Sequence, residues 1–328
     1  MPQPSVPLPD DEEYQGYSTV DSSDDAFDTD SAISEASSQT DVSLYSPSFD
    51  DDSSEDLFDF DSEIPFEYDS ICGLQYSQIT GTTNVTPDDL ELSYTSHLKW
   101  YSLNGYRLFL SPLSETTPRR VLDVGCGRGA WAIDVADRYP HWIVDGFDAA
   151  DVIPQWVPPN CDLYIDDCNK PFAIDSCYDL IHVRSMSTAV TNWDKFIQDC
   201  LTSLQPGGYV EVKDILVTEI AGSEDITRWI NQVNYASRNL GVDLRSMRWI
   251  AEIMKSVGFE DITISECEWS SDEGHIRPSI RGCSLKLLTF HGGMTEEEAE
   301  VYTAYAVRDI KRVPVVTVHG RKPVRGRI

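Results

Sequence analysis

Three glycines at alternate positions occur in the run VLDVGCGRGAWA at residues 121–132, where an apolar segment gives way to a helical pattern. Glycine lets a backbone turn sharply and approach a ligand closely, and the first turn of a helix has N–H groups without internal partners. A strand, a glycine loop and a helix in this order predict a nucleotide-binding turn. Because Gly125, Gly127 and Ala130 also fit the NAD fingerprint, the glycines alone leave the ligand open.

The acidic residue two positions before the loop, Asp123, favours one ligand. Its carboxylate is predicted at the carboxyl end of the strand, where it would repel the pyrophosphate of a dinucleotide. S-adenosyl-L-methionine (SAM) has no phosphate there, and its methionine ammonium would be attracted by the carboxylate. The charge pattern therefore predicts SAM as the cofactor.

Further acids follow the next two apolar runs. Asp148 ends the second run, where it is expected to accept hydrogen bonds from ribose hydroxyls. Asp166, Asp167 and Cys168 end the third run, where a carboxylate can accept from the adenine amine and the Cys168 N–H can meet a ring nitrogen. Each acid alone is also compatible with a solvated strand end, but their order along the chain favours a binding site.

Short β-rich runs alternate with helical stretches from about residue 119. This alternation predicts an α/β fold, in which a mostly parallel seven-stranded sheet carries helices on both faces. The predicted strands are residues 119–124, 142–148, 161–167, 178–184, 208–214, 261–269 and 315–319. The clearest predicted helices are AWAIDVADRYP after the glycine loop, Trp193 to Leu204 and Ser246 to Val257.

The net charge of −31 is concentrated at one end of the chain: residues 1–98 hold 24 of the 56 acidic residues and none of the 25 basic ones. With little apolar surface and much like charge, residues 1–70 are predicted to form a disordered acidic tail. Leu57, Phe58 and Phe60 lie within an acidic run, which is also typical of an interaction segment.

Several classes of protein are disfavoured. The sequence shows no secretory signal and no apolar run long enough for a bilayer, so we expect an intracellular protein, cytoplasmic or nuclear, without a membrane partner. The eight cysteines form no CxxC pair, which suggests neither a disulfide framework nor a metal site. A negative domain without a basic stripe is not expected to bind nucleic acid directly.

Longer segments carry a family resemblance. VLDVGCGRGAWAIDVADRYP, VDGFDAADVIPQWVPPNCDLYIDD, YDLIHVRSM and LQPGGYVEVKD resemble the class I SAM-dependent methyltransferases, and specifically the fungal LaeA-like group associated with secondary metabolism. The resemblance extends over roughly residues 75 to 323. We expect a helical extension at 71–118, a methyltransferase domain at 119–323 with a helical lid between its last strands, and a basic tail at 324–328. The SAM contacts that the resemblance implies are Asp123, Gly125, Cys126, Gly127, Gly129, Asp148, Asp167, Cys168, Val183 and Arg184.

The expected reaction is methyl transfer from SAM to a small-molecule or protein acceptor. The alternative is a SAM-binding regulatory subunit of a nuclear complex, with a regulatory protein as partner. His182, at the end of the fourth strand, is the candidate general base if the acceptor must lose a proton, although a structural histidine is the alternative. A helix capped by Thr295 and Glu298 could form the lid with Trp229 to Leu240, or could simply pack against the domain.

Overall fold

The structure is a computed structural model that describes residues 68–77, 85–171, 177–271 and 276–324. The predicted acidic tail as far as residue 67, and residues 325–328 of the predicted basic tail, lie outside these ranges. No helix within the described ranges is both long and apolar enough to cross a membrane.

A seven-stranded sheet forms the centre of the domain, in the order β5-β4-β3-β6-β7-β9-β8. Strands β3 to β7 pair in parallel, and β9 pairs antiparallel with both β7 and β8. This confirms the predicted mostly parallel sheet. The strands are β3 Arg120–Val124, β4 Ile143–Asp148, β5 Cys161–Ile165, β6 Tyr178–Arg184, β7 Leu204–Ile215, β8 Glu260–Ser270 and β9 Arg312–Arg321.

Seven α-helices accompany the sheet within the described residues. Each predicted helix is present, although the predicted one over 246–257 begins as a 3-10 helix, Leu244–Trp249. The helices are α1 Leu90–Leu103, α2 Ala130–Arg138, α3 Trp193–Ser203, α4 Glu224–Leu240, α5 Ile250–Val257, α6 Ile276–Phe290 and α7 Glu296–Asp309.

The two faces of the sheet differ in chemistry because successive strand residues point to opposite sides. On β3 and β6, Leu122, Ile181 and Val183 belong to one apolar cluster, which also includes side chains of α3 and α5. Asp123 and His182 alternate with these residues, so they face the other side. Asp123 and His182 therefore lie on the face of the central strands that is opposite to this apolar cluster.

A hairpin precedes the first helix, where the sequence analysis predicts first a disordered tail and then a helical extension. Strand β1, Tyr68–Ile71, pairs antiparallel with β2, Leu74–Ser77. Ile71 and Tyr76 are buried, and the Tyr76 hydroxyl donates to the Gly282 carbonyl of α6 at 2.8 Å. The predicted tail boundary at residue 70 is therefore too late, because β1 already belongs to the packed domain.

This boundary generates the first prediction. Deleting residues 1–61 should leave the melting temperature and SAM affinity unchanged, because the buried hairpin is kept. Deleting residues 1–77 removes the buried Ile71 and Tyr76, and should destabilise the fold by about 3 kcal/mol or more. Thermal unfolding and calorimetric SAM titration of both deletions measure the two effects. A large loss of stability in the shorter deletion would contradict the assignment of the tail as separate from the domain.

Candidate active site

One cavity of about 320 Å³ lies at the carboxyl ends of the parallel strands. One end, called the cofactor end below, is lined by the glycine loop and by polar residues after β4 and β5. The other end, called the apolar or acceptor end, is lined by apolar side chains of α1, α4 and α6. Several predicted cofactor residues line the first end: Gly125, Cys126, Gly127, Asp148, Asp166, Asp167, Cys168 and Arg184.

Two glycines of the loop are required for different reasons. Gly125 has a φ of 70°, and a Cβ atom there would lie 2.1 Å from Sδ of Met186. Gly127 has a φ of 54° and lines the cavity, yet no atom of the described residues lies within 4 Å of the position of its missing Cβ. The open space at Gly127 is where a ligand can approach the backbone.

Asp148 ties the end of β4 to the glycine loop. Its Oδ2 accepts the Gly127 N–H at 2.8 Å, and its Oδ1 accepts the Ala150 N–H at 2.9 Å. Burial raises the pKa of this carboxyl, and the two N–H donors oppose that shift. Each oxygen keeps a further lone pair, so Asp148 can still accept from a ligand hydroxyl.

The turn after β5 is also held by local hydrogen bonds. Asp166 Oδ1 accepts the Asp167 N–H at 2.7 Å, and Asp167 Oδ1 accepts the Asn169 N–H at 2.9 Å. Asn169 Nδ2 then donates to the Ala189 carbonyl at 2.9 Å, which joins this turn to the loop after β6. The cavity wall that carries both carboxylates is therefore braced from the neighbouring loop.

Asp123 lies behind the cavity wall. It is 3% exposed, and its Oδ1 lies 2.8 Å from His182 Nδ1, whose ring stacks on Trp131 with the centroids 3.8 Å apart. Burial and the positive charges of Lys213 and Arg184 lower the pKa of His182 well below its usual value. The ring is therefore neutral and donates its Nδ1–H to Asp123, whose pKa burial raises to about 7.

Arg184 connects this buried pair to the cavity, which it lines. Its Nη1 lies 3.2 Å from Nδ1 of His97 on α1. Because a guanidinium can only donate, His97 Nδ1 accepts, and His97 Nε2–H donates to Asp134 of α2 at 2.7 Å. Arg184 thus offers a fixed positive charge that could pair with a ligand carboxylate.

Four predicted site residues do not line the cavity. Val183 is buried in the apolar cluster on the opposite face of the sheet, and Gly129 is the N-cap of α2. His182 is fully buried behind the wall, so its proposed role as general base is wrong for this arrangement. Asp123 is also hidden, and its electrostatic effect on the cofactor stays a prediction.

Tryptophans surround the apolar end of the cavity, and sequence reasoning missed their role. Trp100 of α1 and Trp269 of β8 meet edge to face, with ring centroids 5.6 Å apart. Trp229 of α4 is also buried, and its Nε1 donates to Ser284 Oγ at 3.3 Å. All three line the cavity together with aliphatic side chains of α4 and α6.

Helices α4 and α6 cover this apolar end. Val233 of α4 and Ile280 and Leu287 of α6 line the cavity, whereas no residue of α7 does. Helix α7 has the predicted capping box at Thr295 and Glu298, but it packs on α4 and α6 from outside. Of the two helices predicted to form a lid, α4 therefore borders the cavity and α7 does not, and the lid itself stays a prediction.

Helix α6 was not predicted, although its sequence carries a signal. Ile276, Ile280, Ser284 and Leu287 recur at helical spacing and are buried. Pro278 and Gly282 interrupt the pattern, but Pro278 lies in the first turn, where a proline needs no hydrogen bond, and Gly282 packs directly against Pro87. Both residues are thus compatible with the helix.

The strand order, the glycine loop after β3 and the acids after β4 and β5 define a class I SAM-dependent methyltransferase. The chain belongs to the methyltransferase domain family, which its sequence matches over residues 94–264. SAM is accordingly its cofactor, and methyl transfer is its reaction.

Two kinds of relative are similar in sequence. Methyltransferase pytC of Aspergillus terreus is 27% identical over 82% of this chain and 85% of its own length. Secondary metabolism regulator laeA of Aspergillus niger is 40% identical over 98 residues, which are 29% of this chain and 26% of that protein. Secondary metabolism regulator LAE1 of Cochliobolus heterostrophus is 40% identical over 95 residues, 28% of this chain and 31% of that protein.

Solved structures with a related fold share little sequence. The [4+2]-cyclase SpnF has 19% identity and a TM-score of 0.43, covering 63% of this chain and 76% of its own. Phosphoethanolamine N-methyltransferase 2 of Haemonchus contortus, solved with SAM, has 17% identity and a TM-score of 0.42, and the match covers 75% of this chain and 55% of that protein.

The cavity residues fit SAM by their chemistry. The open space at Gly127 admits a ligand against the backbone, Asp148 and Asp167 keep lone pairs for hydroxyl and amine donors, and Arg184 can pair with the methionine carboxylate. When bound, SAM supplies an activated methyl group, so these residues need only bind and orient it.

Asp123 generates the second prediction. A bound ammonium or sulfonium favours the charged form of this carboxyl, so SAM binding should lower its pKa from about 7 and release a proton. Below pH 7 the protonated carboxyl loses its attraction, and SAM affinity should fall by up to ~10-fold per pH unit. Calorimetric titration at pH 6 and pH 8, in two buffers of different ionisation enthalpy, measures both effects.

The matched variant is Asp123→Asn, which keeps the shape of the side chain but cannot ionise. It should bind SAM more weakly than the wild type at pH 8, and with less dependence on pH. Wild-type affinity that is equal at pH 6 and pH 8, without proton release, would show that Asp123 does not sense the cofactor.

Proposed function

We propose that this protein transfers the methyl group of SAM to a small, largely apolar acceptor in fungal secondary metabolism. One observation carries the proposal: a single cavity runs from the glycine loop to Trp100, Trp229 and Trp269. Buried aromatic walls favour planar or hydrocarbon ligands, which gain from leaving water. The relative pytC is a methyltransferase, which agrees with an enzymatic role, and the laeA and LAE1 relatives are secondary metabolism regulators, which point to that setting.

The chain's own residues contribute alignment and exclusion of water. The glycine loop and the acids after β4 and β5 would fix the cofactor at one end, while α4 and α6 enclose the acceptor at the other. Holding two reactants in line converts an encounter into an effectively unimolecular step, which can remove most of the entropic barrier. The shielded cavity also keeps water from the reacting groups.

A second candidate function is supported by the similarity to laeA and LAE1, which are secondary metabolism regulators. In this alternative the protein binds SAM but acts chiefly through a protein partner in a nuclear complex, and the acceptor cavity is not needed for its output. A protein acceptor would combine features of both candidates. The protein would be a partner, but the tip of its methylated side chain would have to enter the same cavity.

The third prediction separates these candidates. Ser279 of α6 lines the apolar end and is only partly buried, so a tryptophan there should fill the cavity without disturbing the cofactor end. Ser279→Trp should keep SAM affinity within about twofold but lose methyl transfer ~100-fold or more, because the acceptor is displaced. Pro278→Trp, on the exposed position beside it, is the matched control and should remain active.

The measurement uses radiolabelled SAM with the full chain and an extract of the source organism, followed by separation of small molecules from proteins. Label in a small apolar product that disappears with Ser279→Trp supports the enzyme. Gly127→Val, which fills the cofactor space, should abolish both binding and transfer. If cells carrying either variant keep full secondary-metabolite output, the regulatory alternative is correct and the enzymatic proposal is wrong.

A further inference from the structure

Asp214 is a buried carboxylate in the cavity wall that lies outside the set of predicted cofactor residues. It lies near the end of β7, is 3% exposed, and lines the cavity. It accepts a hydrogen bond from the loop that follows β6, and its charge acts on Cys283 of the covering helix α6. Strand β7 continues to Ile215, so it does not end at Asp214.

Two backbone groups fix the orientation of this carboxylate. Asp214 Oδ2 accepts the Ser187 N–H at 2.8 Å, and Oδ1 accepts the Ile215 N–H at 2.7 Å. Ser187 follows Ser185, whose positive φ of 58° turns the chain sharply out of β6. The Ser187 hydroxyl and the Met186 N–H also act on this carboxylate as hydrogen-bond donors. A ligand hydroxyl would therefore bind by taking the place of the rotatable Ser187 hydroxyl.

No cation neutralises Asp214 in the part of the chain that the structure describes, and burial raises its pKa to about 6, against the opposing effect of the backbone donors. The group that faces it from α6 is Cys283, whose thiol pKa is raised to about 11, first by burial and further by the charge of Asp214. A carboxylate of this kind is charged at neutral pH and more basic than a free one, which suits it to accept a proton.

The other histidines and carboxylates near the cavity are less well placed than Asp214 to act as a general base. His182 and His97 lie outside the cavity lining. Asp88 accepts a hydrogen bond from Ser77 and Asp89 caps α1, and both are partly exposed. The remaining lining carboxylates, Asp148, Asp166 and Asp167, belong to the cofactor end.

We propose that Asp214 is the general base of the methyl transfer and that the acceptor is an apolar compound that presents a hydroxyl group to it. This inference rests on the proposed function and specifies its substrate class as phenols or enols. In the step, the acceptor oxygen forms a bond to the methyl carbon as the carbon–sulfur bond of SAM breaks. The sulfur keeps the bonding electron pair, giving S-adenosylhomocysteine, and the hydroxyl proton goes to Asp214.

The first test measures binding, with the full chain saturated with S-adenosylhomocysteine so that no reaction occurs. The probes are 2-naphthol, which can donate a hydrogen bond, and 2-methoxynaphthalene, which cannot. Wild-type protein should bind 2-naphthol ~10-fold or more tightly than 2-methoxynaphthalene, as expected for a hydrogen bond to a charged acceptor. Asp214→Asn should reduce this preference to about threefold or less, because the charge is lost.

Asp145→Asn is the matched control. Asp145 is also a buried sheet carboxylate, but it pairs with Arg120 at 2.6 Å and does not line the cavity. This variant should keep the preference for 2-naphthol. Equal binding of both probes by the wild type, no binding of 2-naphthol, or a preference that survives in Asp214→Asn would each overturn the proposal.

The second test measures methylation of 2-naphthol with labelled SAM as a function of pH. With SAM saturating at every pH, wild-type turnover should fall as the pH drops below about 6, where Asp214 becomes protonated, and Asp214→Asn should be slower by ~100-fold with unchanged SAM affinity. The failures are distinguishable. If label passes to amines, thiols or carbon acceptors equally well in Asp214→Asn, this inference is wrong but the proposed function stands. If no small molecule is labelled at all, the proposed function is wrong.

Discussion

The hydrogen bond from the Gly127 N–H to Asp148 Oδ2, 2.8 Å long, fixes the geometry on which the cofactor end depends. It joins the loop after β3 to the end of β4, and the Gly125 and Cys126 N–H groups strengthen the same junction by donating to the Phe147 carbonyl. A loop held in this way cannot move away from the second strand, so the glycine backbone and the carboxylate always face the cavity together. The positive φ values at Gly125 and Gly127 are the conformational requirement of that junction.

Burial of charge on one face of the central strands is a second constraint. Asp123, His182, Glu211 and Lys213 all lie on β3, β6 and β7 and are almost inaccessible to solvent. Lys213 Nζ lies 2.7 Å from Glu211 Oε1, and Glu211 Oε2 accepts from the backbone of residues 110 and 111. Buried ions are tolerated only when they are paired, so the segment before β3 is held in place by the charges that it covers.

The sequence was sufficient to predict the sheet and most of the residues that line the cavity at the glycine loop, because both depend on local patterns. Apolar runs, glycine spacing and strand-end acids are read directly from neighbouring residues, and Gly127, Asp148 and Asp167 lie where the patterns place them. Val183 and His182 show the limit of this reasoning. Val183 lies on the opposite face of the sheet because side chains alternate along β6, and His182 is buried by its pairing with Asp123. These positions depend on register across the sheet.

The acceptor end could not be predicted, because it is assembled from distant parts of the chain. Trp100, Trp229 and Trp269 come from a helix before the sheet, a helix after β7 and the edge strand β8. No short motif joins them, and each alone resembles an ordinary core tryptophan. Asp214 was overlooked for a related reason, since only the fold shows that α6 faces it.

The two ends of the cavity also differ in how they are shared with relatives. The family match covers residues 94–264, which include every predicted cofactor residue that lines the cavity, whereas the lining residues from Thr86 to Ser93 lie before that span and those of α6 lie beyond it. The hairpin that holds α6 through Tyr76 is outside it as well. The glycine-loop end is thus built wholly from the span that matches the family, whereas the apolar end also needs segments on either side of it, so a fragment limited to residues 94–264 would lack part of the wall that faces the acceptor.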